Sequence, residues 1–344
     1  MTLQGEGRSE KELIKASNVY AQETPARSWW LFLSTLALTA VAITLAAQPQ
    51  HWMLRTAASV VAGLLTVRLF IVYHDFQHGS ILKGSKLAKW MLNTYGVLVL
   101  TPPNVWKQTH NYHHAHTAKI VGSHVGSYMM LNTDFWSKTT ERQQLMYKII
   151  RHPLTILCGY LTIFLYGMCV ASFARNPRKN WDSAVAVALH VVLVTVLWRT
   201  FGFETMFFTL QLPLIVATAS GAYLFYAQHN FPDAYIQPRE TWSYARAALE
   251  SSSYMKMGPV MNYFTGNIGY HHVHHLNYRI PFYRLPEAMA GIPELQHPRG
   301  VTSLHPRDII ACFQLKIWDA EAGRLTGYPE VLDSSSETAT EASA

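Results

Sequence analysis

The chain has 344 residues, 49% of them apolar and only 14% charged, against about a quarter charged in an average soluble domain. A net charge of +7 would suit nucleic acid, but the lysines and arginines flank long apolar blocks, the pattern of membrane-protein loops, which excludes that partner. Three cysteines, Cys158, Cys169 and Cys312, provide no disulfide framework.

Residues 1–28 are polar, of mixed charge and without a secretory signal, and read as a cytoplasmic N-terminal arm. A membrane domain over 29–330 follows. A spanning helix needs about 20 apolar residues, and blocks of that kind place spans near 29–47, 52–73, 184–203 and 206–226, the last two joined by a very short turn near Gly202. The second carries Arg55 near one end and Arg68 near the other, positions from which a long stem can reach the interface. Two further blocks, 87–101 and 153–174, read as interfacial or re-entrant. The first is short and closed by Pro102-Pro103; the second is basic on both flanks, with Arg151 before it and Arg175, Arg178 and Lys179 after. The outer turns this implies, Gln48–His51 and Gly202–Glu204, contain no Lys or Arg, as expected. From Phe231 the chain is polar and rich in proline, a cytosolic cap, and 331–344 read as a disordered tail. The fold class is therefore all-α and integral to the membrane, with about four transmembrane helices.

Nine of seventeen histidines form a set. His74 and His78 continue the second span past its end, four residues apart and so on one helix face. His110, His113 and His114 have the spacing HxxHH, which His271, His274 and His275 repeat; His229 stands alone just after the last span. Imidazole suits iron, zinc and copper. Nine ligands are too many for one tetrahedral zinc and about right for two metals of four or five nitrogens each. Neutral ligands leave a metal strongly electrophilic, which favours a redox pair that activates oxygen, although spacing alone does not fix the metal. His51, His116, His124, His152, His190, His297 and His305 read as structural. A His-rich membrane metal transporter is the alternative of another class, but transporter sites lie near the bilayer midplane on broken helices, and these clusters sit beyond helix ends. Glu294-Leu295-Gln296-His297 matches half of a carboxylate diiron motif whose second copy is missing, and there is no HExxH. His297-Pro298-Arg299-Gly300 is too isolated for a haem domain, so electrons come from a separate protein.

At these residues the sequence resembles the membrane fatty acid desaturase family, whose pattern is HxxxH, HxxHH, an isolated His and HxxHH. The local wording agrees: HDFQHGS at 74–80, WKQTHNYHHAHT at 106–117, FYAQHNF at 225–231 and TGNIGYHHVHHLNYRIPFYRLPEA at 265–288. The last two are similar to bacterial acyl-lipid desaturases of the Δ12 type. The resemblance covers roughly 30–290 and implies two non-haem iron ions held by His74, His78, His110, His113, His114, His229, His271, His274 and His275. His272 falls between ligand positions. Some relatives complete one iron site through a water held by an asparagine four residues before the isolated histidine. That position is Phe225 here, with Asn230 or Asn267 as substitutes. Asp75 and Asp233 are candidates for orienting ligand N–H groups, and Trp106, Tyr112 and Phe76 for walls near the metals. The implied reaction is O2-dependent desaturation of an acyl chain carried on a lipid, coenzyme A or a carrier protein, with ferredoxin or cytochrome b5 and its reductase as electron donor. The catalytic face is cytoplasmic, in a bacterial inner membrane. Alkane hydroxylases and carotenoid hydroxylases or ketolases share the clusters and are the alternative within the class.

Overall fold

The computed structural model describes residues 8–120, 125 and 127–329; the tail assigned to 331–344 and His124 lie outside them. Helix α1 (Glu10–Ser17) is followed by the long helices α2 (Pro25–Ala47) and α3 (Trp52–His78), then α4 (Lys86–Leu98) and α5 (Pro103–His116). After a short helix Pro153–Leu157 come α6 (Tyr160–Arg175), α7 (Trp181–Met206) and α8 (Leu212–Ala227), and the cap contains α9 (His271–Leu276). Most of α6 is wound as a π-helix, as is the turn Phe207–Gln211 joining α7 to α8.

Three helical stretches are long and apolar enough to cross a membrane: Pro25–Ala47, Trp52–His78 and Trp181–Ala227. The first and third expose apolar side chains such as Leu33, Leu38, Val191 and Val196. Such a surface is stable against hydrocarbon and costly in water. Helix α3 is the most buried of them and lies between α2 and α8. The third stretch, at 47 residues, would be about 70 Å long if straight. Instead both its ends return to α5, which is about 20 Å long. Asn104 N–H donates to Asp182 Oδ2 at 2.7 Å, and His229 Nε2 lies 3.1 Å from His113 Nε2. The chain therefore doubles back, and it does so at Gly202, whose φ of 84° and ψ of 164° suit only glycine.

Small residues set the helix spacing. A Cβ on Gly63 of α3 would stand 2.6 Å from Val216 Cβ and 2.8 Å from the Pro213 carbonyl oxygen of α8. The helices approach because Gly63 has no side chain, which lets Val216 and the Pro213 carbonyl seat directly against the α3 backbone.

Neither Arg55 nor Arg68 reaches out to an interface; both are buried. Arg55 donates to the Ala46 carbonyl and pairs with Glu204 at 3.0 Å, joining the end of α2 to the segment after Gly202. Arg68 donates to Thr35 Oγ1 and the Tyr263 carbonyl, tying α2 and α3 to the cap. In each case a fixed acceptor within reach wins over solvent. The two ends of the α6 segment also meet the cap side. Arg151 donates to the Met129 carbonyl, and the Lys179 carbonyl accepts from Asn104 Nδ2.

The cap contains strands that the all-α expectation lacks, two or three residues each and too short for a period-two pattern. Leu131–Asn132 pairs in parallel with Ile317–Asp319, which also pairs antiparallel with Arg324–Thr326. Tyr254–Lys256 pairs in parallel with Val301–Ser303. The N-terminal arm belongs to this cap. Ser9 and Glu12 form a capping box on α1, Leu13 is buried in the main core, and Ser17 and Asn18 accept from Asn277 Nδ2.

The histidines read as structural have local roles. His51, His152 and His305 each cap a helix N-terminus through Nδ1, His190 meets the Tyr160 hydroxyl, His116 stacks on Tyr112, and His297 is exposed. Replacing Gly63 with Leu is expected to push α3 from α8 and cost about 1–3 kcal/mol. Thermal unfolding of the purified protein in detergent reads this as a lowered midpoint.

Candidate metal centre

The nine histidines converge on one end of the bundle in two groups. His74, His78, His110, His114 and His274 form the first; His113, His229, His271 and His275 form the second. Within each group the candidate ligand atoms all lie within 4.8 Å of one another. His272 belongs to neither, and its Nε2 meets the Leu295 carbonyl at 3.1 Å.

Helix geometry makes the division. On α5, His110 and His114 are four residues apart and share one side, with Nε2 atoms 3.1 Å apart, while His113 turns to the second group. On α9 the roles reverse. His271 and His275 serve the second group, again with Nε2 atoms 3.1 Å apart, and His274 serves the first. The groups are adjacent, since the rings of His114 and His275 stack at 4.3 Å.

Neighbours fix the orientation of several rings. His74 Nδ1 lies 2.9 Å from Asp75 Oδ1, and Asp75 Oδ2 accepts the Phe282 N–H at 2.6 Å, so this carboxylate also locks the chain beyond α9 onto α3. His229 Nδ1 faces the Ser251 carbonyl at 3.0 Å. His275 Nδ1 lies 3.2 Å from Thr117 Oγ1, whose own hydrogen goes to the His113 carbonyl. In all three rings the hydrogen then sits on Nδ1 and the Nε2 lone pair points inward.

Burial and mutual repulsion push the His113, His114, His271 and His275 imidazoles well below their ordinary range. His229 is lowered to about 4 by burial, against the opposing pull of the Ser251 carbonyl. At neutral pH these rings are uncharged, the form that binds a metal.

The arrangement fits metal better than hydrogen bonding. Six Nε2···Nε2 separations are 3.0 or 3.1 Å, and His110, His114, His229 and His271 each have two such neighbours. A ring nitrogen carries either a hydrogen or a lone pair, so it cannot bond properly to both. Adjacent ligands about 2.1 Å from a metal and at right angles stand about 3.0 Å apart. His78 Nε2 is also buried without a hydrogen-bond partner, a costly state for a free imidazole.

Comparison with known proteins agrees with this geometry. The fatty acid desaturase family model matches residues 50–306. The chain belongs to the fatty acid desaturase family. It is 29% identical over 339 residues to a fatty acid desaturase of Bacillus subtilis, covering 95% of this chain and 93% of that one. It is 24% identical over 294 residues to an sn-1 acyl-lipid omega-3 desaturase (ferredoxin) of a Nostoc species, covering 79% and 76%. With an sn-1 oleoyl-lipid 12-desaturase of a Synechocystis species it shares 22% over 285 residues, covering 79% and 78%. Members of this family are oxidoreductases.

Several finer expectations for this desaturase change. Asp233 is exposed, and only its carbonyl oxygen is engaged, by Arg299 Nε. Thr117 and Ser251 face ligand rings where a second acid was expected. Thr117 was legible as a hydroxyl four residues after His113, but Ser251, 22 residues from His229, left no local signal. The amide of Asn230 is spent on Cys312, Leu315 and Arg151, and Asn267 Nδ2 donates to the Phe282 carbonyl. Both amide hydrogens of Asn230 are thereby used, and Asn267 Nδ2 is committed to the chain at Phe282. Phe225 packs its ring 5.0 Å from that of His113. Trp106 does wall the site, stacked on His110 at 4.2 Å, whereas Tyr112 stacks on His116. Thr117→Val, which deletes the acceptor for His275, is expected to weaken metal binding by about 10–100-fold. Chelator competition on the purified protein measures this.

Proposed function

We propose that this chain is an O2-dependent acyl-lipid desaturase whose nine histidines hold two iron ions, five nitrogens on one and four on the other. The observation that carries the proposal is the pair of adjacent, all-histidine groups at one end of an apolar bundle. Acid-free, neutral donor sets suit a redox pair that activates O2, and that is the chemistry the irons would supply when bound. Each turnover takes one O2, two external electrons and two protons, removes one hydrogen from each of two neighbouring methylenes, and releases two waters.

The chain's own residues orient and exclude. Asp75, Thr117 and Ser251 hold His74, His275 and His229 with Nε2 inward. Trp106 walls the His110 side of the first group. A small cavity of ≈ 50 Å³ borders His113 and His229, lined mainly by apolar groups such as Ile120, Met130, Tyr128 and Phe225, with Lys119 and Arg151 also at its wall. Its apolar walls suit methylenes of the substrate, because selecting one bond in a uniform chain depends on where the chain is held.

In the membrane, α2, α3, α7 and α8 make four crossings, with α4 and α6 at the interface and the histidines on the cytoplasmic face of a bacterial inner membrane. The doubling back at Gly202 supports this count, since it returns His229 to the face that carries His78. The Nostoc relative, an sn-1 acyl-lipid desaturase (ferredoxin), and the Synechocystis relative, an sn-1 oleoyl-lipid desaturase, support a lipid-linked acyl substrate, and the first supports a ferredoxin-type donor over cytochrome b5.

The test is expression in a bacterial host of simple lipid composition, with fatty acids read by mass spectrometry. Wild type is expected to add a double bond and retain no oxygen in the product. His113→Ala and His275→Ala are expected to lose at least about a hundredfold of that product. Hydroxylated lipid would reassign the enzyme, and bound metal without O2 consumption would revive the transporter reading.

A further inference from the structure

The two histidine groups open onto two different recesses. The second borders the small apolar-walled cavity. The first lies under an open depression of ≈ 1020 Å³, with His78, His114 and Tyr278 among its lining. Lys83, Lys89, Lys107 and Arg279 also line it, and no Asp or Glu does. All four cations are exposed. Among the described residues none of them has an ion-pair partner, whereas Arg8, Arg246 and Arg284 on the same cap are each paired with a glutamate.

Four unpaired like charges around one mouth repel each other and attract an acidic surface. The floor gives that surface a reason to dock. Tyr278 stacks on His78 at 4.9 Å and meets His114 at 5.5 Å, so ring contact runs from the depression to two members of the first group. A lipid head group seated here would bring its phosphate, not its methylenes, against the histidines.

We propose that this depression is the docking surface for a small acidic one-electron carrier of the ferredoxin kind, which reduces the metal pair by way of Tyr278 and His78. Each docked carrier is oxidised by one electron and the metal pair is reduced by one. Two encounters therefore supply the two electrons that a double bond requires. The proposal rests on the desaturase reading for what the electrons do, but the docking is measurable without it.

The experiment uses the full chain in nanodiscs of zwitterionic lipid, with a plant-type [2Fe–2S] ferredoxin as the probe. Wild type is expected to bind it with an affinity that falls steeply with salt. The K83E/K107E double variant is expected to bind at least about tenfold more weakly with a shallower salt dependence. Product formation driven by dithionite with a small mediator stays at the wild-type level in that variant. Unchanged ferredoxin affinity overturns the proposal. So does a variant that keeps ferredoxin affinity but loses a preference for phosphatidylglycerol over phosphatidylcholine, which would make the depression a head-group site. If wild type forms no double bond with either reductant, the desaturase reading falls, and the binding measurement still decides the docking.

Discussion

Along an α-helix, the side chains three and four residues beyond a given one lie about 60° to one side of it and about 40° to the other. In α5 and α9 that offset distributes histidines between two metal-sized groups. The HxxHH spacing sends its outer pair one way and its middle histidine the other, and the two helices do so in opposite senses. A helix carrying only HxxxH, such as the end of α3, serves a single group. The site therefore needs α5 and α9 side by side, with α3 against one group and the end of α8 against the other. Every larger feature of the fold serves that placement, including the reversal at Gly202 that brings His229 back to the shared face.

Burial makes this arrangement costly without metal. The imidazoles are neutral and removed from water, and Nδ1 of His113, His114, His271 and His274 has no hydrogen-bond partner. Ring nitrogens crowd one another at 3.0–3.1 Å, more of them than one set of hydrogens can satisfy. A bound metal would replace that crowding with coordination, so its binding free energy would add to folding free energy. The partners that hold ligand rings come from elements far apart in sequence. Asp75 reaches the chain at Phe282, and Thr117 joins the His113 carbonyl to His275. Arg151, buried and without a carboxylate, bonds the Met129 carbonyl, Tyr226 and Asn230 and so stiffens the chain beside His229. Neutral oxygens and aromatic rings solvate it where an acid would have created another buried charge.

The parts of this architecture that could be read from sequence are those with short-range signatures. Apolar runs mark the long helices, and spacings of three and four mark which histidines share a face. The bend at Gly202 was legible because a glycine sat between two apolar blocks too long for one crossing. What could not be read depends on contacts between distant residues. Nothing near His229 points to the Ser251 carbonyl, and the short strands at Leu131 and Ile317 have no pattern until they pair. Arg68 looked like a side chain free to extend, because the Tyr263 carbonyl that captures it lies 195 residues away. How the nine histidines divide five to four follows only once α5 and α9 are set face to face.

That unequal division bears on which side of the pair meets the substrate. A metal with five protein nitrogens has less room for a further ligand than one with four, and catalytic sites are the ones that keep a position open. The four-histidine group is the one beside the apolar cavity, with Phe225 against His113 and His229 where an asparagine would have offered a polar anchor. The five-histidine group is walled by Trp106 on its His110 side and open to the basic depression on the other. On the reading proposed above, coordination number, wall chemistry and surface charge each favour the second group for oxidation of the acyl chain and the first for the arrival of electrons. The stacked rings of His114 and His275 are the contact through which one side adjoins the other.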